Sequence, residues 1–518
     1  MRILNITFYS LTLLTQLAFI TLFLVHNKPG LTNFYFIVGL GILYAIVFSL
    51  LTIEAVKNKN TKLWLPSAFA QALITVLILP LLVYIILDNL VWDYFQAITT
   101  SEPVIYTWLI SWTLIVLALV IHLVFATKIS KFTKQHLINL SVVALLGLPV
   151  MWAVDTITSP QLSEKVTLSS DIFVGGTDGY KVYRIPAMLV IPSGSQLNNG
   201  TKLTHDRIIV MAEARRDAAL DTGVIDLVQK HSDDGGKSWS EQSVICQYKE
   251  GNMRGKCGNA TPVFDSDSGK LFLAYNLSGI PENNPEGNRP HTAHIKESLD
   301  GGLTYSEDTQ LSMPNSVFGP GHGIQKQFMP NKGRLIIPYN TSVGGQGSSV
   351  ALYSDDNGLT WVTGQKLGTG NENEIAELSD GRLLMATRHI APVGAPPEPN
   401  GRLFSVSENG GGSWQQPTLD QNLLTPICQA SLLTLSTNKG HLFLNPANKK
   451  ARVQLMLRHS ANDGKVWQNE LLIFPGPSGY SQLAELSDGN VLILFENGNL
   501  SYSEKITFVK LPLNSLLK

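Results

Sequence analysis

The stretch SDDGGKSW at 232–239 returns four more times, as SLDGGLTY at 298–305, SDDNGLTW at 354–361, SENGGGSW at 407–414 and SANDGKVW at 460–467. Its chemistry is that of a tight hairpin. Asp-Gly or Asn-Gly supplies the positive φ angles of the turn, and the Ser or Asp side chain can accept bonds from turn amides. The closing aromatic then packs beneath the turn. Successive copies start 66, 56, 53 and 53 residues apart. Such a period suits a four-stranded propeller blade carrying insertions. A second element repeats between the turns, a Gly-led apolar strand: GKLFLAYN at 269–276, GRLIIPYN at 333–340, GRLLMATRH at 381–389 and GNVLILFEN at 489–497. Short alternating strands with Gly, Asn and Asp at the turns predict an all-β domain over 161–518, and its length divided by the period gives a six-bladed β-propeller. The tryptophans fit this frame. Of 9 in the chain, four lie in this region, and each closes one copy of the motif: Trp239, Trp361, Trp414 and Trp467. They read as structural staples.

Working outward, the 518 residues hold 39 Lys+Arg against 40 Asp+Glu, with only 15% charged. A soluble globular protein has about 25%. The deficit lies in 1–160, which carries 8 Lys+Arg and 5 Asp+Glu. Five stretches there, 4–26, 33–53, 64–87, 104–126 and 137–154, contain no Asp, Glu, Lys or Arg. They are long enough, or nearly so, to cross about 30 Å of hydrocarbon. The expectation is an α-helical, multi-pass membrane region of about five helices. Lys57, Lys59 and Lys62 in one loop, and Lys128, Lys131 and Lys134 in another, contrast with Asp88, Asp93 and Glu102 between them. That asymmetry places the N-terminus in the cytoplasm and, after five crossings, the propeller on the extracytoplasmic side: cell surface, periplasmic or lumenal. Apart from His122, and His26 at the end of the first, no histidine or charged side chain interrupts the five stretches, so the region reads as an anchor rather than a transporter. Nucleic acid is excluded as a partner, because neither half has the cationic excess that neutralises phosphates. Three cysteines exclude a disulfide-dense scaffold and offer no zinc-ligand spacing. Cys246 and Cys257 are close enough in sequence to pair, while Cys428 stands alone.

The motif copies are Asp boxes. Together with YRIP at 183–186 they resemble the sialidase (neuraminidase) family over essentially all of 180–500. In motif wording (EAR, FLNPA, RVQLMLRHS, GYSQL) the likeness is to the animal lysosomal type, from which the apolar N-terminal region departs. The resemblance implies an exo-α-sialidase acting on a sialylated glycan, with no cofactor and no metal. It also implies site residues. Arg184 in YRIPAMLV, Arg388 closing GRLLMATRH and Arg452 in NPANKKARV match the three arginines that hold the substrate carboxylate; Arg458 competes with Arg452 for the third place. Converging guanidiniums repel unless an anion sits between them, and their forked donors match a carboxylate. Asp221 in ALDTGVID resembles the acid/base aspartate, with Asp217 and Asp226 as local rivals. Arg215 in AEARRD resembles a further substrate-binding arginine, with Arg216 as its rival. Tyr480 in GYSQLAEL and Glu372 in GNENEIAEL resemble the nucleophile and its proton acceptor. Glu496 in LFENGN resembles the carboxylate that holds Arg184.

A tyrosine nucleophile has an electrostatic rationale. A carboxylate nucleophile would meet the substrate's own carboxylate, and a neutral phenol avoids that repulsion. The phenol, with a pKa of about 10, needs a base to become reactive. Two other classes share parts of this pattern. A non-catalytic glycan-binding propeller would lack Tyr480, Glu372 or Asp221, and all three are present. A trans-sialidase, or a relative acting on another nonulosonic acid, would share the same machinery.

Overall fold

A computed structural model describes residues 160–516 apart from 218, 222, 248–252, 282–290, 344–345, 390–400, 437–438 and 500. The apolar stretches of 1–159, and with them the expected membrane anchor, lie outside the described residues. Among the described residues, no helix is long and apolar enough to cross a membrane.

The described chain is β-strand and turn apart from a short 3-10 helix at Leu513–Ser515. In chain order its strands fall into six antiparallel groups of four. The first group is Val182–Ile191, Arg207–Arg215, Ile225–Ser232 and Ser243–Cys246. The second is Met253–Asp265, Lys270–Pro281, His291–Ser298 and Thr309–Leu311. In the third the innermost strand is split into Ser316–Phe318 and Ile324–Gln325, both pairing with Leu335–Val343. The fourth begins with Asn373–Glu377 and the fifth with Ser431–Thr434. The long strand Gln468–Glu485 serves twice. Its first half pairs with Val453–Ser460 as the outer edge of the fifth group, and its second half pairs with Asn490–Asn497 as the inner strand of the sixth. Leu168–Val174 then pairs with Lys505–Pro512, so the beginning of the domain completes its last blade. Inner strands touch in sequence around a ring: Val182–Ile191 against Met253–Asp265, onward through the third, fourth and fifth groups to Gln468–Glu485, and back to Val182–Ile191. This is a closed propeller, which leaves only short outer edges unpaired.

The repeated motif acts between blades. In the first copy Ser232 Oγ accepts from Gly236 N at 2.9 Å, while Asp234 accepts from Lys237 N, Ser238 N and Ser238 Oγ. The bond from the amide four residues on to the third-position Asp or Asn recurs in all five copies. Each aromatic reaches into the preceding blade. Trp239 meets Phe508 edge-on at 5.0 Å, Trp361 meets Phe272 at 5.7 Å, and Trp467 stacks on Phe404 at 6.0 Å. Trp414 packs with Ile336 and Ala351. Tyr305 donates to Gln229 Oε1 at 2.6 Å. The tryptophans are therefore structural staples, as their positions in sequence predict. Gly236, with φ +87°, lies against Phe508, where a Cβ would collide with the ring. The Gly-led strands are the second strands of their blades. A further one, His441–Pro446 after Gly440, does the same for the fifth blade, and Arg207–Arg215 does so without a leading glycine.

The disulfide between Cys246 and Cys257 is formed, with Cα atoms 6.0 Å apart. It ties the outermost strand of the first blade to the innermost of the second. Cys428 is a buried free thiol.

Candidate active site

At one end of the ring the inner strands bring charged side chains together. Glu372 immediately precedes the strand Asn373–Glu377, and its carbonyl accepts from Arg388 N at 2.8 Å. That bond extends the ladder in which Asn373 faces Thr387, so a spacing of 16 residues becomes a cross-strand pair. Tyr480 and Glu496 have the same relation: Ser481 faces Phe495 and Ser478 faces Asn497, with a bulge between them that leaves Tyr480 beside Glu496.

Glu496 is fully buried and accepts four bonds. Arg184 Nε and Nη2 donate at 3.1 and 3.3 Å, Ile185 N at 2.8 Å and Tyr480 N at 3.0 Å. One carboxylate thus fixes the first arginine and the backbone of the tyrosine together. Ile185 has φ +56°, a conformation that is strained for a β-branched residue, and its amide is aimed at Glu496. Burial disfavours the Arg184 charge, but Glu496 outweighs it and raises its pKa well above the ordinary arginine value.

The Tyr480 hydroxyl donates to Glu372 Oε1. Arg388 Nη1 lies 2.6 Å from Glu372 Oε2 and 3.1 Å from the Tyr480 oxygen. The guanidiniums of Arg184 and Arg452 lie 5.5 and 5.3 Å from the centre of the Tyr480 ring. Both also flank the ring of Tyr502, at 5.1 and 5.0 Å. Burial and the Glu372 charge push the Tyr480 phenol well above its ordinary value, while Arg388 and Arg452 pull the other way. The resting hydroxyl is therefore neutral. Arg452 Nη2 donates to the Ile427 carbonyl at 2.8 Å. Among the described residues, Arg388 Nε and Arg452 Nε are buried without a partner. Three arginines accordingly meet around one phenol with donors to spare, the arrangement an anion would complete.

Asp221 stands at the opposite edge, its side chain 70% exposed. It accepts from Arg215 Nη2 at 2.7 Å and lies 3.9 Å from Arg184 Nη1. Burial would raise its pKa, but Arg215, Arg184 and Lys256 together hold it well below the usual carboxylate range. Arg215 is itself buried and also donates to Glu213 Oε2 at 2.6 Å and to the Ala219 carbonyl. Fully buried Glu213 lies 3.4 Å from Lys256 Nζ and accepts from Asn259 N. Burial opposes its charge, and Lys256 and Arg215 more than compensate, lowering its pKa.

The local rivals separate by their partners. Arg216 donates to buried Asp226 at 2.5 Å and stacks on Tyr180, which itself donates to Asp226. That pair is internal to the blade. Arg458 is occupied by Glu470 and Asn445. Asp217 is exposed.

Three contributors went unread in the sequence. Glu213 could have been found from EAR: two residues before Arg215 on a strand, it shares that residue's face. Lys256 is brought in by the disulfide-linked strand. Tyr502 lies in the turn before Lys505–Pro512, and no local pattern distinguishes it. Among the described residues, no cluster of His, Cys, Asp and Glu could hold a metal ion.

A sequence-family model described as a BNR repeat-like domain matches residues 207–493. A sialidase of Micromonospora viridifaciens is 31% identical over 382 residues, covering 68% of this chain and 54% of that protein. A sialidase of Clostridium perfringens is 25% identical over 357 residues, covering 62% of this chain and 89% of that protein. The chain thus spans about half the length of the first relative and most of the second. Among solved structures, the Hadza microbial sialidase Hz136 superposes with a TM-score of 0.56 at 21% identity, over 67% of this chain and 69% of that one, a likeness of fold. The chain belongs to the BNR repeat-like family, and the curated relatives that match it over most of its length are sialidases.

Proposed function

We propose that the chain is a retaining exo-α-sialidase on a six-bladed propeller, releasing terminal α-linked sialic acid from glycoproteins, glycolipids or oligosaccharides. The observation that carries this reading is the Tyr480 hydroxyl hydrogen-bonded to Glu372 beneath Arg388, Arg184 and Arg452. A carboxylate on the anomeric carbon binds the three guanidiniums and sets that carbon above the phenol oxygen. Glu372 takes the phenolic proton as Tyr480 attacks, and Asp221 protonates the departing glycosidic oxygen. Asp221 then deprotonates water, which attacks the tyrosyl-linked sugar and restores the original configuration.

The field of Arg215, Arg184 and Lys256 leaves Asp221 ionised, and an acid needs a proton. Substrate supplies the missing influence. Its carboxylate cancels part of the arginine field that depresses Asp221, so the Asp221 pKa rises when the site fills.

Purified full-length protein in detergent is expected to release 4-methylumbelliferone from its sialoside. Proton NMR of sialic acid freshly released from sialyllactose should show the α anomer first. Initial appearance of the β anomer would exclude the double displacement.

The loop lysines support a location as well: five N-terminal crossings, a cytoplasmic N-terminus and an extracytoplasmic propeller. Protease added to intact cells should remove the propeller. Protection until lysis would reverse the orientation.

A further inference from the structure

Two residues beyond Glu372, the same inner strand carries a second acid, Glu374, which the proposed chemistry does not use. It is fully buried. Residues two apart on a strand share a face, so Glu372 and Glu374 stand one above the other. Tyr480 and Gln482 do the same on the sixth blade. The result is two rungs between the same pair of strands: Tyr480 to Glu372, and Gln482 Nε2 to Glu374 Oε1 at 2.6 Å.

Three more donors converge on Glu374: Leu432 N at 2.7 Å, Ser431 Oγ at 3.0 Å and Gln429 Nε2 at 3.3 Å. Ser431 and Gln429 belong to the fifth blade and reach on to the sixth, where Leu483 N donates to Ser431 Oγ and Ser481 N to Gln429 Oε1. His322 Nδ1 comes from the third blade to within 3.2 Å of Gln482 Oε1 and 4.0 Å of Glu374 Oε2. The turn that carries it passes so close that a Cβ on Gly321 would collide with Glu374. All four hydrogen-bonded partners of Glu374 are donors, and a carboxylate alone accepts from every one of them. Burial pushes its pKa up, while His322 and the donors oppose that rise.

We infer that Glu374 is a positioning residue for the nucleophile: by clamping the inner strands of the fourth, fifth and sixth blades, it sets the contact between Tyr480 and Glu372. This inference rests on the proposed role of Tyr480. Two of the carboxylate-binding arginines have supports outside the clamp: Arg184 is held by Glu496 and Arg452 by the Ile427 carbonyl. Loosening the clamp should therefore impair attack more than binding.

The test is steady-state hydrolysis of 4-methylumbelliferyl sialoside by full-length wild type and Glu374→Gln. The glutamine turns an acceptor into a donor facing donors. The expected result is a fall in kcat of at least tenfold with KM within twofold. Restoring the opposite polarity with Glu374→Gln/Gln482→Glu should recover part of the loss. If Glu374→Gln does not fold, Ser431→Ala removes one donor to Glu374, together with the acceptor of Leu483 N, and should lower kcat about threefold at constant KM. A wild type that does not turn over would overturn the proposed activity, and this inference with it. Turnover by wild type, with either folded variant keeping its kcat or losing rate only through KM, would overturn this inference alone.

Discussion

The two sides of the site are built differently. Tyr480, buried on its inner strand, and Glu372, partly buried just before another, are bonded to each other and to Arg388, with Glu496 holding the backbone beneath. Asp221 hangs from the loop after Arg207–Arg215, mostly exposed, and its described bond is to Arg215. On the proposed mechanism, the nucleophile side is set before substrate arrives, and the acid side takes its working protonation state from the substrate's charge. Preorganisation is concentrated where a bond to carbon forms, and adaptability where aglycones of varied shape must leave.

The largest break in this contrast is Tyr480→Phe. It removes the attacking oxygen and keeps the ring, so kcat should fall by about 10³-fold or more while KM changes little. A loss below tenfold on sialyllactose would show that the phenol is not the nucleophile.

Glu372→Gln should cost about 10²–10⁴ in kcat, the usual worth of a proton acceptor. Tyr480 is held above its ordinary pKa chiefly by burial, so raising the pH to about 9 should not ionise it and should not restore the rate. Recovery at pH 9 would mean that the phenol titrates freely.

Asp221→Ala sharpens the other side. Natural glycosides should slow by about 10²–10⁴, whereas an aryl sialoside, whose leaving group departs unprotonated, should slow by about tenfold or less in its first step. Equal slowing on both would remove Asp221 from the acid role.

The smallest effect concerns stability. Because the arginines depress the folded-state pKa of Asp221, its ion pairing stabilises the fold above the ordinary carboxylate pKa, and the benefit is lost as pH falls through the depressed value. Exposure keeps the gain small. Asp221→Asn should melt about 1–2 °C below wild type at pH 6, with the difference shrinking toward pH 3. A difference that grew on acidification would contradict the sign.

Much of this was legible in the sequence, for identifiable reasons. Motif turns repeat because each blade must close its own hairpin, so Trp239, Trp361, Trp414 and Trp467 announced both the repeat and their packing role. The 16-residue spacings from Glu372 to Arg388 and from Tyr480 to Glu496 reflect hairpin register, which a linear chain records directly. Meetings across the ring are not recorded that way. The contact of Tyr480 with Glu372 spans 108 residues, and nothing near either residue specifies the other. Tyr502, Lys256 and Glu374 were missed for the same reason: their importance comes from ring closure. The choice of Arg215 over Arg216 also needed coordinates, since adjacent strand residues face opposite sides and only the partners Glu213 and Asp226 reveal which side is the site.

The central claim is a covalent bond to Tyr480, and the most direct measurement is to trap it. A 3-fluorosialosyl fluoride slows breakdown of the glycosyl-enzyme, and peptide mass spectrometry after an acid quench would locate the sugar. The account predicts one fluorosialosyl group on the peptide containing Tyr480, and none in Tyr480→Phe. A label on Glu372 or Asp221, or full turnover without any trapped adduct in wild type, would contradict it.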